Sequence, residues 1–189
     1  TLFTFAYDDV ASIHYFGKNL KSYWNKDGAL IVIECSTPLG EYASKGQTLD
    51  AQVSSSLLAN IFVNRSPMHD GAVLIRNNRV VAAGCKLPLT TNEEVARGMG
   101  TRHRAAIGMT ESTDAVTLIV SEETGTISVA VDGVLKRYLA PQMLEQILRK
   151  ELLETTEDRA EGLFNLVGGK TKEVLKSAKE KMGGKKDEK

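Results

Sequence analysis

"ALIVIEC", residues 29 to 35, is the stretch on which the architecture turns. It is a short apolar, β-branched run bounded by turn residues, and it contains no polar alternation until Glu34. Such a run predicts a strand buried on both faces, which needs helices on either side of its sheet. The flanking sequence supplies them. On the N-terminal side, Val10, Ile13, Phe16, Gly17 and Leu20 recur at helical spacing and predict an amphipathic helix over residues 9–23, ended by Asp27 and Gly28. On the C-terminal side, Val53, Leu57, Leu58, Ile61 and Phe62 repeat the pattern, with Ser54 to Ser56 at the helix start and Pro67 beyond its end.

Further along, "AVLI" and "RVVAAGC" flank Asn77 and Asn78, a pair suited to the positive φ angles of a tight turn, so residues 72–85 predict a hairpin. A second hairpin is expected from "DAVTLIVS" and "TGTISVAVDG", turning at Glu122 to Gly125. Between them, residues 101–112 lack strand alternation and favour a helix. Leu135 to Leu153 reads as a final helix with Pro141 near an internal start. This order predicts an α/β layered sandwich, a mixed central sheet flanked by helices on both faces, in a single domain. Three stretches are expected: an N-terminal helical segment over 1–28, the folded unit over 29–154, and a lysine-rich, flexible tail over 155–189.

At 189 residues, 42% of them hydrophobic, the chain has enough apolar surface for one full core. Lys plus Arg and Asp plus Glu both number 24, so no bulk field holds the protein on nucleic acid, and an anionic ligand must be captured by a local cluster. Cys35 and Cys85 lie in apolar runs without metal-ligand spacing; buried free thiols are expected, as in a reducing cytoplasm. No apolar stretch approaches the roughly 20 residues that cross a bilayer. The chain starts without Met, which leaves room for a membrane part ahead of it. In the tail, lysines around Val174, Leu175 and Met182 read either as a solvated terminus or as a basic amphipathic helix for an anionic membrane.

Three clusters carry chemistry. His69, Asp70 and Gly71 stand where a loop enters a strand; an aspartate beside a histidine holds a divalent metal or accepts a hydroxyl proton, and Gly71 leaves room for a ligand to approach the backbone. The same residues also read as an ordinary Asp-Gly turn. Gly100, Thr101, Arg102, His103 and Arg104 crowd positive charge at a helix start, which is costly beside the dipole unless an anion is present or the arginines pair with Glu93, Glu94 or Glu111. Ser121, Glu122 and Glu123 end a strand, either as part of a metal site or as a polar turn.

Together, "HDGA" at 69–72, "GTRHRAA" at 100–106 and "SEETG" at 121–125 closely resemble the diadenylate cyclase domain, with "LGEY" at 39–42 and "VSSSLLANIF" at 53–62 extending the similarity toward its membrane-anchored branch. The resemblance covers about residues 29–152. It implies condensation of two ATP molecules into cyclic di-AMP with release of two pyrophosphates, using manganese, magnesium or cobalt. It further implies that Asp70, with Gly71 and Ala72, forms the catalytic D-G-A motif, Asp70 helping to activate the ribose 3′-hydroxyl and hold the metal. His69 and Glu123 become metal candidates. Gly100, Thr101, Arg102, His103 and Arg104 bind the triphosphate, the last three also counted as catalytic, while Ser121 and Glu122 contact phosphate and Leu87 reads the adenine edge through its backbone. Because one domain holds one ATP, a face-to-face homodimer is implied, with the catalytic domain cytoplasmic and the full-length protein anchored in the cell membrane. The sequence departs from the branch at one place: a tyrosine that stacks on adenine before L-P-L is replaced by Lys86.

Overall fold

The computed structural model describes residues 28–153. The expected helix over 9–23 and the lysine-rich tail lie outside the described residues. Seven strands, β1 (Ala29–Ile33), β2 (Gln47–Gln52), β3 (Ala72–Arg76), β4 (Arg79–Cys85), β5 (Val116–Val120), β6 (Ile127–Val131) and β7 (Val134–Lys136), form one mixed sheet in the order β2-β4-β3-β1-β5-β6-β7. The central strand, β1 (Ala29–Ile33), is buried at every position. It runs parallel to β3 (Ala72–Arg76) and antiparallel to β5 (Val116–Val120), with Ile31 opposite both Val73 and Leu118. The hairpin from β3 to β4 (Arg79–Cys85) turns at Asn77 and Asn78, whose φ values of 48° and 57° are those the sequence required. β5 pairs with β6 (Ile127–Val131) as expected.

Alternation along β1 sorts the core into two layers. Ala29, Ile31 and Ile33 face one side, where they meet Leu58, Ile61 and Phe62 of α2 (Ser55–Phe62) and Leu144, Ile147 and Leu148 of α5 (Pro141–Leu153). Leu30 and Val32 face the other, against Ala105, Ala106, Ile107 and Met109 of α4 (Thr101–Ser112). Burying each large apolar side chain in these layers stabilises by about 1.5–3 kcal/mol. α2 starts where the sequence placed it: the Ser54 hydroxyl accepts from the Leu57 N–H at 3.2 Å. Two one-turn helices, α1 (Gly40–Ala43) and α3 (Glu93–Ala96), complete the helices among the described residues.

α4 is packed from two sides. Beyond the sheet, the segment Leu87–Thr90 crosses it at Gly108, where a Cβ would stand 2.6 Å from the Pro88 carbonyl oxygen and the Thr90 nitrogen. The Thr90 N–H donates to the Arg104 carbonyl at 3.0 Å. That crossing brings the loop after β4 to the N-terminus of α4, which sets up the cleft described below.

Two expectations change. Residues 135–140 are not helical: Val134–Lys136 form β7, paired with β6 across a turn at Asp132 and Gly133, whose φ values are 50° and 73°. Asp-Gly in that conformation is a hairpin signal, and it overrides the helical spacing of Leu135; the helix begins only at Pro141. β2 (Gln47–Gln52), a polar edge strand on β4, was not foreseen. Cys85 is buried as expected, but Cys35 is only half-buried.

All four long connections that matter for chemistry emerge at one end of the sheet. There the N-terminus of β3, the C-termini of β4 and β5 and the segment after β7 lie together, as the pairs Ala72 with Cys85, Ala29 with Val120 and Val129 with Lys136 require. The opposite end holds the tight turns at 77–78 and 132–133, and a loop in which Asp114 accepts the N–H groups of Ser36 and Thr37, each at 2.9 Å.

Candidate functional site

A cleft of about 510 Å³ opens at that loop-bearing end. His69, Asp70, Gly71, Leu87, Gly100, Thr101, Arg102, His103, Ser121, Glu122 and Glu123 all line it, so the three clusters separated in sequence share one cavity. Ala72 and Arg104 do not line it; Ala72 is buried in β3 opposite Cys85.

The loop entering β3 is built to hold His69. Ser66-Pro67-Met68-His69 closes a turn in which the His69 N–H donates to the Ser66 carbonyl at 3.2 Å, with Pro67 at the position whose φ proline presets. The same carbonyl lies 2.6 Å from His69 Nδ1. A carbonyl only accepts, so Nδ1 carries a proton and Nε2 is left as the ring nitrogen that can turn to a metal, the arrangement common in metal-ligating histidines. Gly71 has φ 121°, and a Cβ there would meet the backbone of Gly84 and Cys85 within 3 Å. Its missing side chain therefore makes room for β4, and the close approach expected of a ligand is made by the protein's own strand.

Asp70 is not idle. Lys86 Nζ donates to its Oδ2 at 2.7 Å, and this contact, before the charges of His69 and Arg102, holds the Asp70 carboxyl below its ordinary range. Lys86, in place of the stacking tyrosine, thus lies against the candidate catalytic carboxylate.

At the start of α4 the charge excess expected from the sequence is present and only partly answered. Gly100 offers no side-chain cap, so the first N–H groups of the helix have no capping side chain. Arg102 pairs with Glu122 across the cleft, not with Glu93, Glu94 or Glu111; Glu111 instead accepts the Thr90 hydroxyl at 2.7 Å. Arg102 Nε, His103 Nε2 and Arg104 Nε are buried without a hydrogen-bond partner. Three such nitrogens on consecutive residues are costly unless something supplies acceptors. Burial lowers the pKa of His103, the nearby Arg137 charge lowers it further, and Glu123 opposes them, so the imidazole is neutral at pH 7.

No group of three His, Cys, Asp or Glu side chains among the described residues gathers into a metal cage. The donors that line the cleft include the His69 imidazole, with its second nitrogen already fixed, and the carboxylates of Asp70, Glu122 and Glu123, and they suit an open site that a substrate's oxygens complete.

A sequence model of the family described as DAC, DisA bacterial checkpoint controller nucleotide-binding, matches residues 21–135. The chain belongs to the DAC family. The DAC domain is 49% identical over 131 residues to the cyclic di-AMP synthase CdaA of Bacillus subtilis, covering 69% of this chain and 48% of that protein. It is 42% identical over 144 residues to a diadenylate cyclase of Listeria monocytogenes, covering 76% of this chain and 53% of the relative. The chain thus spans about half the length of the curated relatives it matches. Among solved structures, DacA from Staphylococcus aureus superposes with a TM-score of 0.72 at 38% identity, over 78% of this chain and 97% of the other. A hypothetical membrane spanning protein from Bacillus cereus follows at 0.64 and 45%, over 69% and 63%.

Arg137 and Tyr138 are among the residues lining the DAC cleft to which the sequence pattern does not point. They follow β7, and the Asp132-Gly133 hairpin turn was the signal that would have carried the chain back to the cleft there.

Proposed function

We propose that the DAC domain condenses two ATP molecules into cyclic di-AMP and two pyrophosphates. The observation that carries this reading is the pair of partnerless nitrogens on Arg102 and His103, which line the same cleft as Asp70 at an uncapped helix start. A triphosphate supplies the acceptors that those groups lack, and an exchange of Glu122 for phosphate frees the Arg102 guanidinium. Thr101 and Ser121 add hydroxyl donors to the same oxygens. The Leu87 backbone, fixed by the crossing over Gly108, reads the adenine edge.

In this reaction the 3′-oxygen of each ribose bonds to the α-phosphorus of the other ATP, the bond from that phosphorus to the bridging oxygen breaks, and pyrophosphate leaves with the electron pair. Asp70, kept ionised by the Lys86 hydrogen bond, orients the hydroxyl and takes up its proton as the new bond forms. The arginines stabilise the charge that develops on the phosphate, and the work is positioning and electrostatics with no covalent intermediate. His69, Asp70 and Glu123 are the candidates to hold a divalent ion, Mn²⁺, Mg²⁺ or Co²⁺; because the three do not gather into a preformed group, phosphate oxygens would complete the site, and such an ion would neutralise phosphate charge. One domain offers one cleft, so each hydroxyl has to reach a phosphate held by a second copy, and a two-fold homodimer satisfies both attacks. Among the described residues no helix is long and apolar enough to cross a membrane.

Incubation with ATP and Mn²⁺ followed by mass spectrometry tests the reading: cyclic di-AMP is expected from the wild type and is lost in Asp70→Asn. ATP binding without product would instead mark a catalytically silent nucleotide sensor. A dilution series is expected to show specific activity falling as dimers dissociate; a constant rate per subunit in demonstrably monomeric protein rules out the shared site.

A further inference from the structure

Besides its two histidines, three cationic side chains line the cleft: Lys86, Arg102 and Arg137. Two of them are already answered by carboxylates, Lys86 by Asp70 at 2.7 Å and Arg102 by Glu122. Among the described residues no carboxylate pairs with Arg137. Its guanidinium lies over the ring of Tyr138, 5.1 Å from the centroid, and its charge is close enough to bear on His103. Tyr138 adopts φ 59° while remaining 70% exposed. A bulky residue in the left-handed region is uncommon and is held there by its surroundings, here the exit from β7. The ring backs the guanidinium without neutralising it, so its N–H donors remain available to an anion.

The position of this pair along the cleft is informative. β4, which leads to Leu87, and β7, which leads to Arg137, are separated by β3, β1, β5 and β6. Five strand spacings place them roughly 24 Å apart in the sheet. A nucleotide with its base at Leu87 and its phosphates over the start of α4 therefore extends toward β7, the end at which Arg137 stands.

We propose that Arg137, backed by Tyr138, binds the outer phosphates of the nucleotide, those that leave as pyrophosphate, and so makes the cleft selective for a triphosphate over a monophosphate. This rests on the reading of the cleft as an ATP site and adds to it a binding residue on an element outside the three sequence motifs. With no carboxylate partner among the described residues, Arg137 meets the phosphates without first breaking an ion pair there.

The test is calorimetric binding of ATP and of AMP to the wild type, Arg137→Gln and Arg137→Lys, with Mn²⁺ present, and KM and kcat for ATP alongside. Loss of a charge-assisted contact at an exposed position is expected to raise the Kd for ATP about tenfold. AMP binding is expected to stay within about twofold of the wild type, and Arg137→Lys to recover part of the ATP affinity by restoring charge. Equal losses against both nucleotides, or no loss against ATP, overturn the assignment while leaving the ATP site standing. A wild type that binds neither nucleotide overturns both.

Discussion

Replacing Lys86 with methionine separates the two roles open to a cation beside Asp70. The two side chains are 65% and 77% exposed, so their 2.7 Å contact is a solvent-screened pair. Such pairs are worth about 0.2–1 kcal/mol, and unfolding free energy should fall by no more than that. A divalent ion that uses the Asp70 carboxylate has to displace the ammonium first. Removing the ammonium returns that free energy to metal binding, which tightens by roughly 1.4- to 5-fold at 1.4 kcal/mol per tenfold. The like-charge repulsion between Lys86 and the ion acts in the same direction. Titration calorimetry of Mn²⁺ into nucleotide-free wild type and Lys86→Met measures this directly, and the difference is expected to shrink at higher ionic strength. Unchanged or weaker Mn²⁺ binding in Lys86→Met would show that the lysine does not compete for this carboxylate and would remove the pair from the account of the metal site.

Other outcomes follow from the same geometry. Gly108→Ala improves helix propensity by about 1 kcal/mol but drives a Cβ into the Pro88–Thr90 backbone, so chemical denaturation is expected to show a net loss of about 1–2 kcal/mol, with weaker ATP binding as Leu87 shifts; a stabilised variant would contradict the crossing. His103 is buried with its pKa lowered from 6.5, so above pH 6.5 it is neutral in both folded and unfolded chains, and acidification below that value protonates the unfolded chain first. Melting temperature in metal-free buffer should therefore fall between pH 6.5 and 5.5 more steeply in the wild type than in His103→Gln, and parallel profiles would argue against a buried neutral imidazole. Lys86→Tyr offers a ring where the branch stacks adenine; the ratio of ATP to GTP turnover is expected to rise, and identical ratios would mean that stacking at this position has no part in selectivity.

Much of this was legible because the decisive signals are local. Ala29–Ile33 has no polar face to give away, so burial on both sides followed from the run itself, and the Asn77-Asn78 pair fixed the register of its hairpin. The crowding of positive charge at Arg102 and its neighbours was equally readable, since charge repulsion at a helix start is a property of consecutive residues. What stayed hidden depends on tertiary partners. Gln47–Gln52 alternates weakly and becomes a strand through β4 and through Arg79, which reaches Asp50 at 2.6 Å. The pairing choices of Arg102 and Lys86 depend on where the β5–β6 loop and Asp70 arrive in space. Arg137 and Tyr138 were misplaced for the same reason: their helical spacing was outweighed by a two-residue turn whose effect is felt only when β7 docks on β6.

The sheet has a working end and a quiet end. Because Asn77 and Asn78 occupy a tight turn on the side away from the cleft, a fluorophore, affinity tag or surface tether introduced there leaves every candidate substrate contact untouched. Two such copies, labelled at their remote corners, would report the approach of one domain to another by energy transfer while turnover proceeds.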